Sequence, residues 1–177
     1  MDHSPSFRLL TERLALRPTQ PEDVARALEI RSNHEVARNL VSATIPPDPE
    51  KMTNWFRGHA EEWRNGSAYR LAITFEGRFI GVCDVFDIAD DEGEIGYWLD
   101  WAMWGRGFGL EAAERLVGFA MKDVGLNALR AGCADDNPAS AAILTRLGFS
   151  RLEDVRVFSM SRNEEITQRR FQLTRSN

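Results

Sequence analysis

The chain has 177 residues, 43% of them hydrophobic and 28% charged, with a formal net charge of −5 at neutral pH. That is enough apolar material for one full core, and an acid excess runs against a nucleic-acid binder, which carries a clustered basic face. It suits cationic amine partners, or simple solubility. No apolar run approaches the ~20 residues that span a bilayer, no charged-then-apolar leader opens the chain, and no Pro/Ser/Gly-rich linker divides it. One domain over residues 1–177, cytoplasmic and off the membrane, is expected. Cys83 and Cys133 lie in apolar, strand-like segments and read as buried free thiols. His3, His34 and His59 stand apart without ligand spacing, so no metal site is expected.

Residues 7–17 alternate as a first strand, with Leu10, Leu14 and Leu16 as core candidates and Pro18 ending it. Pro21, Glu22 and Asp23 suit the first turn of a helix that Val24, Ala27, Leu28 and Arg31 continue at helical spacing. A second short helix is predicted over 35–40. The prolines of 45–49 break the chain before a helix over 50–63, with Met52, Trp55, Phe56 and Trp63 on its apolar side. Strands over 69–75 and 78–86 meet at Glu76-Gly77, a dipeptide made for a tight hairpin. The acidic run 87–94 reads as a solvated hairpin tip leading into a strand over 94–99. A helix over 109–124, a strand over 129–134, a helix over 140–147 and two last strands around 155–160 and 166–174 complete a mixed α/β sheet.

The chemistry concentrates where the strand over 94–99 runs into Trp104-Gly105-Arg106-Gly107-Phe108-Gly109. Glycines at 105, 107 and 109 let backbone N–H groups turn inward, the helix that follows adds a partial positive charge at its N-terminus, and Arg106 adds a full one. Such a turn fits phosphates. It lacks the Gly-Lys-Ser/Thr ending of a P-loop and the G-x-G-x-x-G spacing of a dinucleotide fingerprint. A second block follows in Cys133-Ala134-Asp135-Asp136-Asn137-Pro138-Ala139-Ser140, with a helix ending in Leu147-Gly148-Phe149.

Together these blocks resemble the acetyl-CoA-dependent N-acetyltransferases of the GNAT superfamily. Its pyrophosphate loop reads Q/R-x-x-G-x-G/A, with Gly107 and Gly109 in the two small positions and Trp104 in the first. That Trp, and Thr11-Glu12-Arg13-Leu14-Ala15-Leu16-Arg17-Pro18 with Asp23 beyond, are similar to the RimJ/RimL branch, which acetylates protein N-termini and small amines. The resemblance implies a single-domain GNAT fold: an α/β, mixed but mostly antiparallel central sheet with helices on both faces, splayed between its fourth and fifth strands, here 94–99 and 129–134. It implies acetyl-CoA as cosubstrate and an amine as acceptor, with a monomer or homodimer as the working form.

In that frame Gly105, Gly107, Phe108 and Gly109 hold the phosphates through backbone amides, Arg106 helps, and Trp104 anchors the loop. Trp98 and Leu99 offer unpaired N–H and C=O groups to the pantetheine arm, and Asn137 bonds the same arm. Strand alternation puts Glu94 on one face with Gly96 and Trp98, where it is the candidate general base; otherwise it is an exposed strand-start glutamate. Glu111 serves the helix dipole and packing. The superfamily's tyrosine acid falls at Leu144, so Ser140 is the candidate acid for the leaving thiolate, as in RimL-like enzymes. Asn137 and Ser140 also read as helix-capping residues. Trp55 and Phe56 are candidates for the acceptor wall or for plain core. An antibiotic or polyamine acceptor, or an acetyl-CoA sensor without turnover, are the alternative functions.

Overall fold

The structure, a computed structural model, describes residues 6–175. Its frame is a nine-stranded sheet in which every neighbouring pair is antiparallel except one. The N-terminal stretch is two strands, β1 (Leu9–Leu10) and β2 (Leu14–Pro18), rather than one. Thr11 turns the chain between them: its hydroxyl and amide both bond the carbonyl of Leu14. The turn shifts the alternation, so Leu9 is buried and Leu10 faces solvent, the reverse of the simple pattern.

Pro21–Asp23 forms a 3-10 turn that feeds α1 (Val24–Arg31), and a short α2 (His34–Ala37) follows. Asp48 caps α3 (Pro49–Asn65) by accepting from the amides of Glu50 and Lys51, and Gly66, with φ of 74°, ends it. Met52, Phe56, His59 and Trp63 recur along its buried side at helical spacing.

Next come β3 (Tyr69–Phe75) and β4 (Arg78–Ala89), joined at Glu76-Gly77, both with positive φ as a type I′ turn requires. The acidic run is mostly strand: β4 continues to Ala89 and β5 (Glu92–Leu99) begins two residues earlier than predicted, leaving Asp90 and Asp91 as the turn. Beyond the glycine turn, α4 (Phe108–Gly118) winds on as a wider π-type helix over Phe119–Val124. Then follow β6 (Ala128–Ala134), α5 (Pro138–Arg146), β7 (Ser150–Arg151), β8 (Val155–Ser159) and β9 (Glu164–Thr174).

Two apolar layers cover the sheet. On one face α1 and α3 pack Ala27, Met52 and Phe56 against Val82, with Trp98 and Phe79 beside them. On the other, α4 and α5 bring Phe108, Ala112, Leu116 and Leu144 onto Leu71, Ile73, Val85, Ile95 and Leu99. The parallel pair β5 and β6 joins the two halves. Its register runs from Glu92 opposite Ala128 to Ile95 opposite Ala131 and stops there. Beyond it, 96–99 stays paired to β4 alone and 132–134 to β9 alone, so the sheet opens as a V between these strands.

Candidate functional site

A cavity of about 960 Å³ fills this V and runs from the glycine turn to the loop between α2 and α3. An open strand edge leaves backbone N–H and C=O groups in need of partners, which makes the β6-facing side of 96–99 a ready surface for an amide-bearing chain.

At one end lie Trp104, Gly105, Gly107, Phe108 and Gly109. Gly107 takes φ of 80° at the N-cap of α4, a region costly to residues with a Cβ, and no side chain caps the helix. The first bond back is from the Glu111 amide to the Gly107 carbonyl at 3.1 Å, so the amides before it are free for an anion. A bracket holds this turn from outside. The Glu111 carboxylate accepts from the Thr11 hydroxyl at 2.6 Å, the Arg13 amide at 2.8 Å and Arg13 Nε at 2.7 Å, while Arg13 Nη1 bonds the Arg106 carbonyl at 2.9 Å. These donors hold the Glu111 carboxyl below its ordinary range against the pull of burial.

Arg106 departs from expectation. Its side chain does not line the cavity; the guanidinium lies over the rings of Phe75 and Phe108, at 5.0 and 4.7 Å from their centroids, and its Nη1 meets the Met103 thioether. Leu99 differs too: its carbonyl accepts from the Trp104 indole at 3.1 Å and is not free. Trp104 thus ties the turn to the end of β5. Asn137 caps α5, accepting from the Ser140 amide at 3.1 Å, and lines the cavity. Ser140 does not cap: its hydroxyl meets the Tyr97 hydroxyl at 2.8 Å. Burial pushes the Tyr97 phenol up to about 12, so it stays protonated at physiological pH.

The other wall carries charge. Glu94 lies on the same side of β5 as Gly96 and Trp98, and both of its oxygens accept from Arg170 of β9, at 3.0 and 2.8 Å. Beside it stands Asp84 of β4, directly opposite Gly96. A Cβ on Gly96 would come within 2.8 Å of Asp84 Oδ1, so the glycine is what admits the carboxylate. Burial raises this carboxyl from 3.8 to about 6; Arg70, whose Nη1 donates to Oδ2 at 2.6 Å, and the Gly96 amide oppose the rise. Arg70 in turn forks onto Glu62 of α3 at 2.6 and 3.0 Å. Trp55 lines the cavity, whereas Phe56 belongs to the core.

Residues 13–150 match the acetyltransferase (GNAT) domain family. The chain belongs to the GNAT family of N-acetyltransferases. It is 30% identical to the uncharacterized N-acetyltransferase p20 of Bacillus licheniformis over 176 residues, covering 88% of this chain and 97% of that protein. Among solved structures, RimL, a ribosomal L7/L12 α-N-protein acetyltransferase in complex with coenzyme A, superposes with a TM-score of 0.84 at 18% identity, over 95% of this chain and 98% of RimL. Mycobacterium smegmatis RimJ, in complex with a CoA disulfide, does so at 0.80 and 20%, over 97% and 88%.

As a GNAT domain the chain has the expected open, mostly antiparallel sheet, its splay falling between the predicted strands. Leu144 is buried core, so no hydroxyl stands at the family's tyrosine position. Asp84 and Tyr97 are cavity residues that the sequence reading did not single out. Asp84 had a signal, a lone acid inside the apolar strand segment Gly81-Val82-Cys83-Asp84-Val85. Tyr97 had none, because its importance rests on a contact across to α5. Among the described residues no group of three or more His, Cys, Asp or Glu could hold a metal ion, and no helix is long and apolar enough to cross a membrane.

Proposed function

We propose that this chain transfers the acetyl group of acetyl-CoA to a primary amine, an N-terminal α-amine of a protein or peptide, by direct attack in a ternary complex. The observation that carries the reading is a single cavity joining the uncapped α4 N-terminus, the opened edge of β5 and a buried carboxylate. The pyrophosphate lies on the amides around Gly105, Gly107, Phe108 and Gly109, the pantetheine arm runs along Trp98 and Leu99 and toward Asn137, and the thioester rests at the opening of the V. CoA complexes of RimL and RimJ, which share the fold, support this placement.

The amine must reach the thioester neutral. Its ammonium proton passes to Asp84, whose affinity near 6 suits a base working around neutral pH. Glu94, the base expected from strand alternation, lines the same wall but has both oxygens engaged by Arg170. The nitrogen lone pair then attacks the carbonyl carbon, a tetrahedral oxyanion forms facing the β5 amides, and the C–S bond breaks with its electrons leaving on sulfur. Ser140, backed by the protonated Tyr97 hydroxyl, gives the thiolate its proton and is reprotonated, through solvent, by the second proton that the nitrogen sheds as the amide forms, so CoA leaves as the thiol and Asp84 keeps the first.

A polycationic drug or polyamine fits this wall less well. Asp48, Asp84, Asp87 and Glu94 line it, but so do Arg31, Lys51 and Arg70, and no uncompensated acid cluster results. In this proposal one domain acts in the cytoplasm, as a monomer or homodimer. The test is CoA release, followed with a thiol-reactive dye, over short peptides with free Ser, Thr or Ala N-termini, polyamines and aminoglycosides. Peptide-dependent release is expected. Release with polyamines or drugs alone would move the acceptor class, and tight acetyl-CoA binding with no release would make the chain a sensor.

A further inference from the structure

The interior arginines of this chain come with carboxylates. Arg17 forks onto Asp23, Arg26 meets Asp100, Arg70 holds Asp84 and Glu62, and Arg170 holds Glu94. Arg31, the last residue of α1, does not. Its Nε is buried without a partner and its Nη1 finds only the Met52 thioether, at 3.9 Å, among the described residues. The guanidinium sits near the rings of Trp55 and Trp98, 5.9 and 6.0 Å from their centroids, and it lines the cavity. Burial alone acts on it, lowering its proton affinity, with no nearby acid to offset the loss.

A half-buried cation whose Nε is sealed from water and which has no anion is costly, and guanidinium is the side chain best shaped for a two-pronged bond to a carboxylate. The missing partner can therefore be supplied by the ligand. Trp55 gives the geometry. Its ring lies 5.3 Å from the Arg70 guanidinium, which holds Asp84, and 5.9 Å from Arg31. Arg31 and the proton-accepting carboxylate thus flank one aromatic wall, on the face of the sheet away from α4 and its phosphate-fitting turn.

We infer that Arg31 is a specificity site of the acceptor pocket: it binds a carboxylate carried by the amine substrate, so that the preferred acceptor is a peptide N-terminus with an acidic residue among its first three. This rests on the acetyl-transfer reading above and names its substrate class. The Trp55 and Trp98 rings keep water from the guanidinium and the acceptor chain lies across them, its amine toward Asp84.

The experiment uses the full chain with CoA bound and peptides bearing Glu at the first, second or third residue, each paired with its Gln counterpart. Calorimetry reads peptide binding, and thiol release with acetyl-CoA reads turnover. At least one Glu peptide is expected to bind about 10-fold or more tighter than its Gln partner, as a charge-assisted bond to a half-buried guanidinium implies. Arg31→Met should erase that preference, leave the Gln peptides and acetyl-CoA affinity within about 2-fold, and melt no lower than wild type, because an unpaired, half-buried charge has been replaced by an apolar stem. Arg31→Lys keeps the charge and should retain part of the preference. Equal binding of every pair, or a preference that survives Arg31→Met, would overturn the inference. So would a loss of acetyl-CoA affinity in Arg31→Met, which would assign the cation to the coenzyme. Selective binding without turnover would leave Arg31 as a carboxylate site and sink the acetyl-transfer reading instead.

Discussion

Replacing Asp84 by Asn separates its proton affinity from its packing. Burial lifts the carboxyl from 3.8 to about 6 in the folded chain, against Arg70 of β3 and the Gly96 amide, with Glu62 of α3 pushing further upward. Because the folded value lies above the unfolded one, the native state holds the extra proton. The group's favourable contribution is complete below about pH 4 and is lost as pH rises through 6. At ~1.4 kcal/mol per unit, the ionised side chain costs the fold ~3 kcal/mol at pH 8, and ~2 kcal/mol of that develops between pH 4.5 and 8. Asn cannot ionise. Its stability relative to wild type should therefore climb by ~2 kcal/mol across this window, whatever constant offset the altered Arg70 contact adds. Urea unfolding of both proteins at half-unit pH steps measures the climb directly. In the same variant kcat/KM with a peptide acceptor should fall about 10²- to 10⁴-fold and lose its acidic limb, while acetyl-CoA affinity holds. Glu94→Gln should keep that limb. Parallel stability profiles for Asp84→Asn and wild type would refute the reasoning, since they would mean that Asp84 binds no extra proton in the folded state.

Three further outcomes bear on the rest of the site. Gly107→Val places a β-branched residue at φ of 80° at the head of α4 and should weaken acetyl-CoA binding by about 10-fold or more with little change in far-UV circular dichroism; calorimetry reads the affinity. Ser140→Ala should lower kcat by about 10-fold or more and leave the acetyl-CoA Kd unchanged, because its hydroxyl meets Tyr97 and does not cap α5. An unchanged kcat would end its role as thiolate acid. Arg13→Ala removes the prop under the Arg106 carbonyl and one partner of Glu111, and should raise the acetyl-CoA Kd several-fold without touching the acidic limb of the rate profile.

What could be read from the sequence was whatever short-range geometry dictates. Glu76-Gly77 names its turn, because both residues must take positive φ. The prolines of 45–49 mark the start of α3, and the glycines at 105, 107 and 109 mark the phosphate turn. Where the Arg106 side chain lies was not legible, because a position beside the turn does not say where a long side chain goes; here it lies over the rings of Phe75 and Phe108. Leu10 and Leu9 exchanged places for a similar reason, a hydroxyl bond from Thr11 that shifts the pleat. Both are contests between local pattern and a single tertiary contact.

The polar wall of the cavity was legible only in its acids, not in the partners that set their chemistry. Glu94 could be placed on a strand face, but nothing in its neighbourhood announced Arg170, 76 residues on, whose fork occupies both oxygens. Asp84 gains its raised proton affinity from burial in a place that a glycine across the strand pair keeps open, with Glu62 adding to the rise, and Arg70, which forks onto Glu62 as well, opposes it. The charges on this wall therefore act as a ledger of pairs: Glu94 with Arg170, and Asp84 and Glu62 with Arg70. Among the described residues Arg31 is the arginine of this wall without a carboxylate, and such a guanidinium beside two tryptophans is the kind of feature that exists only once α1, α3 and β5 have been brought together. In a family whose coenzyme end is built from backbone, it is at such leftover side chains that one acceptor becomes distinguishable from another.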